Sequence, residues 1–206
     1  MKLHSKSPPP LKHIIPQISR SGIPDSNDNR YTVSPQYDGA TELEVAEALY
    51  ELVRQRKPHV IVETGCSQGM SALYFAKACE NNGFGHVWTA EFKLELLASA
   101  HQHWHTYGLA HRITGICGDV NLEETWKDVP DEVDMVFYDC QHGSVGILQE
   151  YACLASRLKP GSILVWHDSI YVSERIAIEL IATLRGKPLS SIVEIPSCRG
   201  CVYLEV

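Results

Sequence analysis

Side chains able to move a proton or bind a metal gather in two short segments, Tyr138-Asp139-Cys140-Gln141-His142-Gly143 and Trp166-His167-Asp168-Ser169. Each follows an apolar, strand-like run. A carboxylate beside an imidazole can draw a proton from a substrate hydroxyl, and the same groups can hold a divalent cation that acidifies it. Three further acids, Glu63, Glu91 and Asp119, stand after earlier apolar runs. Glu63 opens Glu63-Thr64-Gly65-Cys66-Ser67-Gln68-Gly69, in which Gly65 permits a tight turn and Gly69 a close approach of backbone and ligand. The dinucleotide fingerprint G-x-G-x-x-G is absent, and an acid at this point suits a ligand carrying an ammonium group better than one carrying phosphates. Glu91, 28 residues beyond Glu63, can accept both hydroxyls of a ribose. Asp119, after Gly118, can accept an adenine amino group.

The elements that must position these groups follow from periodicity. Thr41-Glu42-Leu43-Glu44 reads as a capping box opening a helix to about Arg56, with apolar residues recurring at helical spacing. From Pro58 the chain alternates. Strands are expected at His59–Val62, His86–Ala90, Arg112–Cys117, Val133–Tyr138 and Ser162–Trp166. Helices are expected at Met70–Asn81, Leu94–Tyr107, Val145–Arg157 and Ser173–Leu184, and Lys159-Pro160-Gly161 reads as a turn. Two last strands, Ile192–Ile195 and Val202–Glu205, are close enough to pair antiparallel. The expected fold is α/β, a Rossmann-like three-layer α/β/α sandwich. Its seven-stranded, mainly parallel sheet carries one antiparallel strand in a C-terminal hairpin. In such sheets ligands bind beyond the carboxyl ends of the strands, where all of the acids above fall. Residues 1–38, rich in Pro, Ser, Asn and Asp, form an irregular arm that can cover the active site, anchored by Tyr31 and Tyr37; residues 39–206 form the domain.

With its acids at successive strand ends and a glycine turn at the first, the chain resembles the class I S-adenosylmethionine (SAM)-dependent methyltransferases over roughly Val60 to Trp166. The resemblance implies that Glu63 and Gly65 lie against the methionine part of the cofactor, Glu91 holds the ribose and Asp119 the adenine side. Ser67, Gly69 and Asp139 complete the implied cofactor set. Ser67 replaces a middle glycine of the commonest motif, a glycine that small-molecule O-methyltransferases often lack. The D-x-x-H of Asp139 and His142, with the later His167-Asp168 pair, resembles the metal-dependent O-methyltransferases that act on sugar and related hydroxyls. By that resemblance Asp139 and Asp168 are ligands of magnesium or manganese and His142 is the general base. His167 stands where a second acid is usual, and an imidazole there suits manganese, iron or zinc better than magnesium. Without an ion, Asp139 would orient His142 or the cofactor. The implied partner is a small molecule bearing a hydroxyl.

Other readings remain at this stage. Gly65-Cys66-Ser67-Gln68-Gly69 fits the G-x-S-x-G of serine hydrolases, although residues 1–57 offer no earlier strand with an oxyanion loop. A non-methylating enzyme or a binding protein on the same fold is also compatible. The formal net charge of −7 and the absence of any Lys/Arg run argue against nucleic acid. The longest apolar stretches are strand-sized, so no membrane span is expected, and Met1–Pro16 lacks a signal peptide's apolar block. Seven cysteines, mostly within apolar runs, suit reduced thiols in the cytoplasm. Cys198-Arg-Gly-Cys201 reads as a hairpin turn and His101-Gln102-His103-Trp104-His105 as a solvated helix end. A homodimer is the default assembly.

Overall fold

The computed structural model describes residues 7–37 and 40–206. The arm comprises a short helix α1 (Pro16–Ser19) and a two-stranded antiparallel ribbon of β1 (Ile23–Pro24) and β2 (Thr32–Val33). The arm–domain boundary expected at 38/39 falls on residues outside those described. The domain then runs α2 (Leu43–Arg56), β3 (Val60–Thr64), α3 (Met70–Asn82), β4 (His86–Glu91), α4 (Leu94–Thr106), β5 (Ile113–Cys117) and β6 (Val133–Tyr138). It continues with α5 (Ser144–Leu154), β7 (Leu158–His167), α6 (Val172–Leu184), β8 (Val193–Ile195) and β9 (Cys201–Glu205).

The seven strands of the main sheet lie in the order β5-β4-β3-β6-β7-β9-β8. The five strands from β3 to β7 are mutually parallel, and β9 runs against both β7 and β8. Two apolar layers sandwich this sheet. One joins α2, α3 and α4 to inward residues such as Ile61, Val87 and Phe137; the other joins α5 and α6 to Val62, Val136 and Leu164. Each fully buried side chain of this size contributes about 1.5–3 kcal/mol, so the alternation along β3 and β6 holds both helix layers in place. The expected sandwich is therefore the observed one.

Three local expectations fail. Thr41 and Glu44 form no capping box: the Thr41 hydroxyl turns to Asp139, and Glu44 accepts the Thr32 amide and hydroxyl instead. Tertiary partners here outcompete a local cap. Lys159-Pro160-Gly161 does not precede the strand but lies within β7, where the β6–β7 register shifts. Finally, β7 extends to His167, which pairs with Cys201, so this histidine ends a strand rather than starting a loop.

Candidate functional site

The strand order reverses beside β3, so the carboxyl ends of β3 and β6 diverge into separate loops and open a cleft. Tyr37, Thr41, Gly65, Cys66, Ser67, Gln68, Asp139, His142 and Asp168 are among its lining residues. Two other cavities are seams along which residues 9–17 lie on the domain, far from the strand-end acids.

The β3–α3 turn is fixed by close packing. Gly65 has φ +79°, and a Cβ there would lie 2.8 Å from Cys140 Cβ and 3.0 Å from the Asp139 carbonyl oxygen. Gly69, at φ +84°, would place a Cβ against the Trp104 indole, whose Nε1 donates to the Gly69 carbonyl at 3.1 Å. Gly69 thus serves helix packing, where the sequence suggested ligand approach. Ser67 is left-handed at φ +47°, and its amide donates to Glu91 Oε2 at 2.9 Å. The other Glu91 oxygen accepts the Lys93 amide at 3.0 Å. Glu91 therefore ties the β3 and β4 loops together and remains partly exposed. Asp119 bonds the Asn121 amide at 2.9 Å in a similar local turn.

Glu63 is placed differently from the sequence expectation. It is fully buried, accepts the Thr89 hydroxyl at 2.5 Å and is also bonded by the Ser71 hydroxyl. Burial pushes its pKa up to about 7 despite those two donors. It braces the turn from beneath rather than lining the cleft.

The structure brings together Asp139, His142, His167 and Asp168. His167 Nδ1 lies 3.0 Å from Asp139 Oδ1 and 3.6 Å from Asp168 Oδ2, and its Nε2 lies 2.8 Å from Glu42 Oε2. Burial opposes charge on this ring, but Asp139, Asp168 and Glu42 outweigh it and hold the pKa well above the ordinary histidine value. His167 is accordingly clamped between carboxylates that favour its protonated form. Asp168 adopts φ +56°, a left-handed conformation that Asp tolerates better than most residues. Burial would raise its pKa, but His167, with smaller help from His142 and Arg199, lowers it. His142 is 61% exposed at the side chain, with Nδ1 3.9 Å from Asp168 Oδ2. It faces the cleft free to meet a substrate.

Sequence reasoning missed Glu42. Completely buried, it accepts the Ser197 hydroxyl at 2.7 Å and the Cys198 and Arg199 amides at 2.9 and 3.2 Å, besides His167. Burial penalises its charge, yet His167 and these donors hold its carboxyl well below the usual range. It read as part of a capping box, and nothing local signals partners 155 residues away. His103 was also misread: Nδ1 holds the Gln68 carbonyl at 3.0 Å and the ring packs edge-on to Tyr37 at 4.8 Å. His101 packs on Trp104. Tyr31, the expected arm anchor, is buried, and so is Trp166, which stacks on Tyr138. Cys198 and Cys201 are free, in the β8–β9 turn and the first position of β9. Ser67 forms no hydrogen bond with a histidine among the described residues, so a hydrolase relay is not assembled around it.

A family model described as a methyltransferase domain matches residues 62–169, just over half of the chain. The chain belongs to this methyltransferase family. The matched segment runs from β3 through Ser169 and contains Asp139 and Asp168, the acids that line the cleft. No curated protein matches the sequence. Among solved structures, the chain is similar to the SAH-bound methyltransferase PaMTH1 of Podospora anserina, with 19% identity over 95% of this chain and 96% of that one and a TM-score of 0.65. It is also similar to the O-methyltransferase TomG of Streptomyces achromogenes in complex with SAM, involved in tomaymycin synthesis. That match has 19% identity, 82% of each chain covered and a TM-score of 0.63. An O-methyltransferase from Bacillus cereus in complex with SAH matches at 17% identity over 95% and 90% of the two chains, with a TM-score of 0.61. At these identities the likeness is one of fold, and that fold is the Rossmann-like methyltransferase fold.

Proposed function

We propose that the protein is a SAM-dependent O-methyltransferase acting on a hydroxyl of a small molecule. The observation that carries this reading is the family match over the strand-end segment, in which Gly65, Asp139 and His142 line one cleft and Glu91 is bonded to the lining residue Ser67. SAM- and SAH-bound neighbours of the same fold support the choice of cofactor. In this reading Glu91 accepts the ribose hydroxyls, Asp119 faces the adenine and the Gly65–Gly69 turn lies along the methionine part, with Glu63 supporting the turn from below. Phe92, 74% exposed beside Glu91, offers an apolar face to the base.

His142 takes the proton from the acceptor hydroxyl as its oxygen attacks the sulfonium methyl carbon. The carbon–sulfur bond breaks as the new carbon–oxygen bond forms, and the thioether product keeps the electron pair. Asp168, 3.9 Å from His142 Nδ1, favours the protonated ring that results. The remaining barrier reduction is positioning of oxygen against methyl, which the narrow cleft supplies.

The residues present also fit a divalent cation. Ligand atoms of Asp139, His167 and Asp168 all lie within 4.8 Å of one another. An Nε2–H of His167 donated to Glu42 would leave the Nδ1 lone pair facing both carboxylates, as in metal-bound histidines whose other nitrogen is held by an acid. Two oxygens and an imidazole suit manganese better than magnesium. When bound, such an ion would orient the acceptor and acidify its hydroxyl. It would compete with the proton that Glu42, Asp139 and Asp168 favour on His167. No helix among the described residues is long and apolar enough to cross a membrane, and seven free cysteines support a cytoplasmic setting.

The test is transfer of labelled methyl from SAM to a panel of sugars, polyols and phenols set beside amines and thiols, with and without manganese. Label appearing on an acceptor oxygen supports the reading; label on nitrogen or sulfur acceptors only would refute it.

A further inference from the structure

Helix α6 carries an apolar ridge on its outer side. Val172, Ile176, Leu180 and Leu184 recur every fourth residue and are 76%, 58%, 44% and 66% exposed. Its inner side, Ala177, Ile178, Ile181 and Ala182, is buried on the sheet. Of thirteen exposed large apolar residues among those described, seven fall between Ile170 and Leu189. The outer faces of α2 and α3 contribute none. Single exposed apolar residues are ordinary, but a ridge of four along one helix marks a contact surface.

We propose that a second copy of this chain covers the ridge, in a two-fold dimer with the two α6 helices antiparallel. The pattern is self-complementary. A two-fold axis at the level of Ile178 sets Val172 of one copy opposite Leu184 of the other, and Ile176 opposite Leu180. That is the requirement of an isologous interface, in which one patch serves both partners. Residues four apart form one ridge on the helix surface, and two such ridges interdigitate in the commonest class of helix packing. Charge agrees. Arg175 and Glu179 border the ridge, paired at 3.2 Å within the chain, and the antiparallel arrangement brings Arg175 of each copy alongside Glu179 of the other. A membrane is a poorer occupant. The ridge is not bordered by an excess of basic residues, and the chain's net charge of −7 repels anionic lipid. The dimer does not depend on the catalytic reading of the cleft.

Sedimentation velocity of the full chain at increasing concentration tests this. The wild type should sediment at twice the chain mass of 23.0 kDa. Ile176→Lys should weaken association at least ~30-fold, as expected for a charge buried at an interface centre, with an unchanged far-UV spectrum. Ile176→Lys combined with Leu180→Glu should regain the dimer, because the two-fold sets position 176 against position 180 of the other copy. If Ile176→Lys fails to fold, Leu180→Ala serves as the milder variant with the same expected direction. A wild type that stays monomeric across the range, or a dimer indifferent to these changes, overturns the proposal.

Discussion

At the scale of single residues, the cleft separates exposed groups from the buried groups that hold them. His142 is exposed and held by a single long contact, so its removal should spare the fold. His142→Ala is expected to lower kcat by roughly 10²–10⁴-fold while SAM affinity changes little, read by steady-state kinetics and calorimetry on one preparation. Glu42 is the opposite case. Glu42→Ala would strip His167 of a partner and leave the 197–199 turn without its acceptor. The expected loss is about 3–5 kcal/mol of folding stability, measured by urea unfolding. The outward acids were legible in the sequence because each directly follows an apolar run whose period betrays a strand. Glu42 was not, since its importance lies in a fold contact with residues far along the chain. The depth of Glu63 was hidden for a related reason: a strand-end acid can face the cleft or the layer below, and only the neighbours Ser71 and Thr89 decide which.

At the scale of elements, the β3–α3 turn and the β6–α5 loop are mutually fitted. Gly69→Ala sets a Cβ against the Trp104 indole at a positive φ and should cost about 2–4 kcal/mol of stability, seen as a lower urea midpoint. Behind the β6–α5 loop, α5 carries Glu150, wholly buried, with Oε1 accepting the Gln141 amide at 3.3 Å and Oε2 unpartnered. Burial raises its pKa to about 8, partly offset by hydrogen bonds from Thr64 and Gln141. Because the folded-state pKa exceeds the unfolded one, the native state binds the extra proton between them. Its contribution is therefore complete at pH 4 and lost as pH rises toward 8. Thermal unfolding should show Tm falling across that window, and Glu150→Gln should flatten the fall. Helix and strand order were readable from alternating apolar periods. The capping box and the Lys-Pro-Gly turn were misread because local signals there yield to contacts across the sheet: Thr41 to Asp139, and β7 pairing with β6 on either side of the bulge.

At the scale of the molecule, the later part of the arm, from Asp25 to Tyr37, packs against the cleft side of the domain. Asp25 and Arg199 pair at 2.8 Å, Arg199 also donates to the Ala40 carbonyl at 3.2 Å, and Tyr37 reaches the cleft lining. Composition marked this segment as irregular, and most of its order is tertiary rather than local. Arg199→Ala should loosen it, with faster amide exchange across residues 23–37 and little change in the sheet. The central claim, that the strand-end acids of this sheet form a SAM site, is tested most directly by titration calorimetry with SAM and SAH, with and without manganese. The expected result is saturable micromolar binding of both, weakened by roughly 30-fold or more in Glu91→Ala, as loss of two charge-assisted hydrogen bonds implies. Absence of binding by the wild type under every metal condition, or binding untouched by Glu91→Ala, would contradict it.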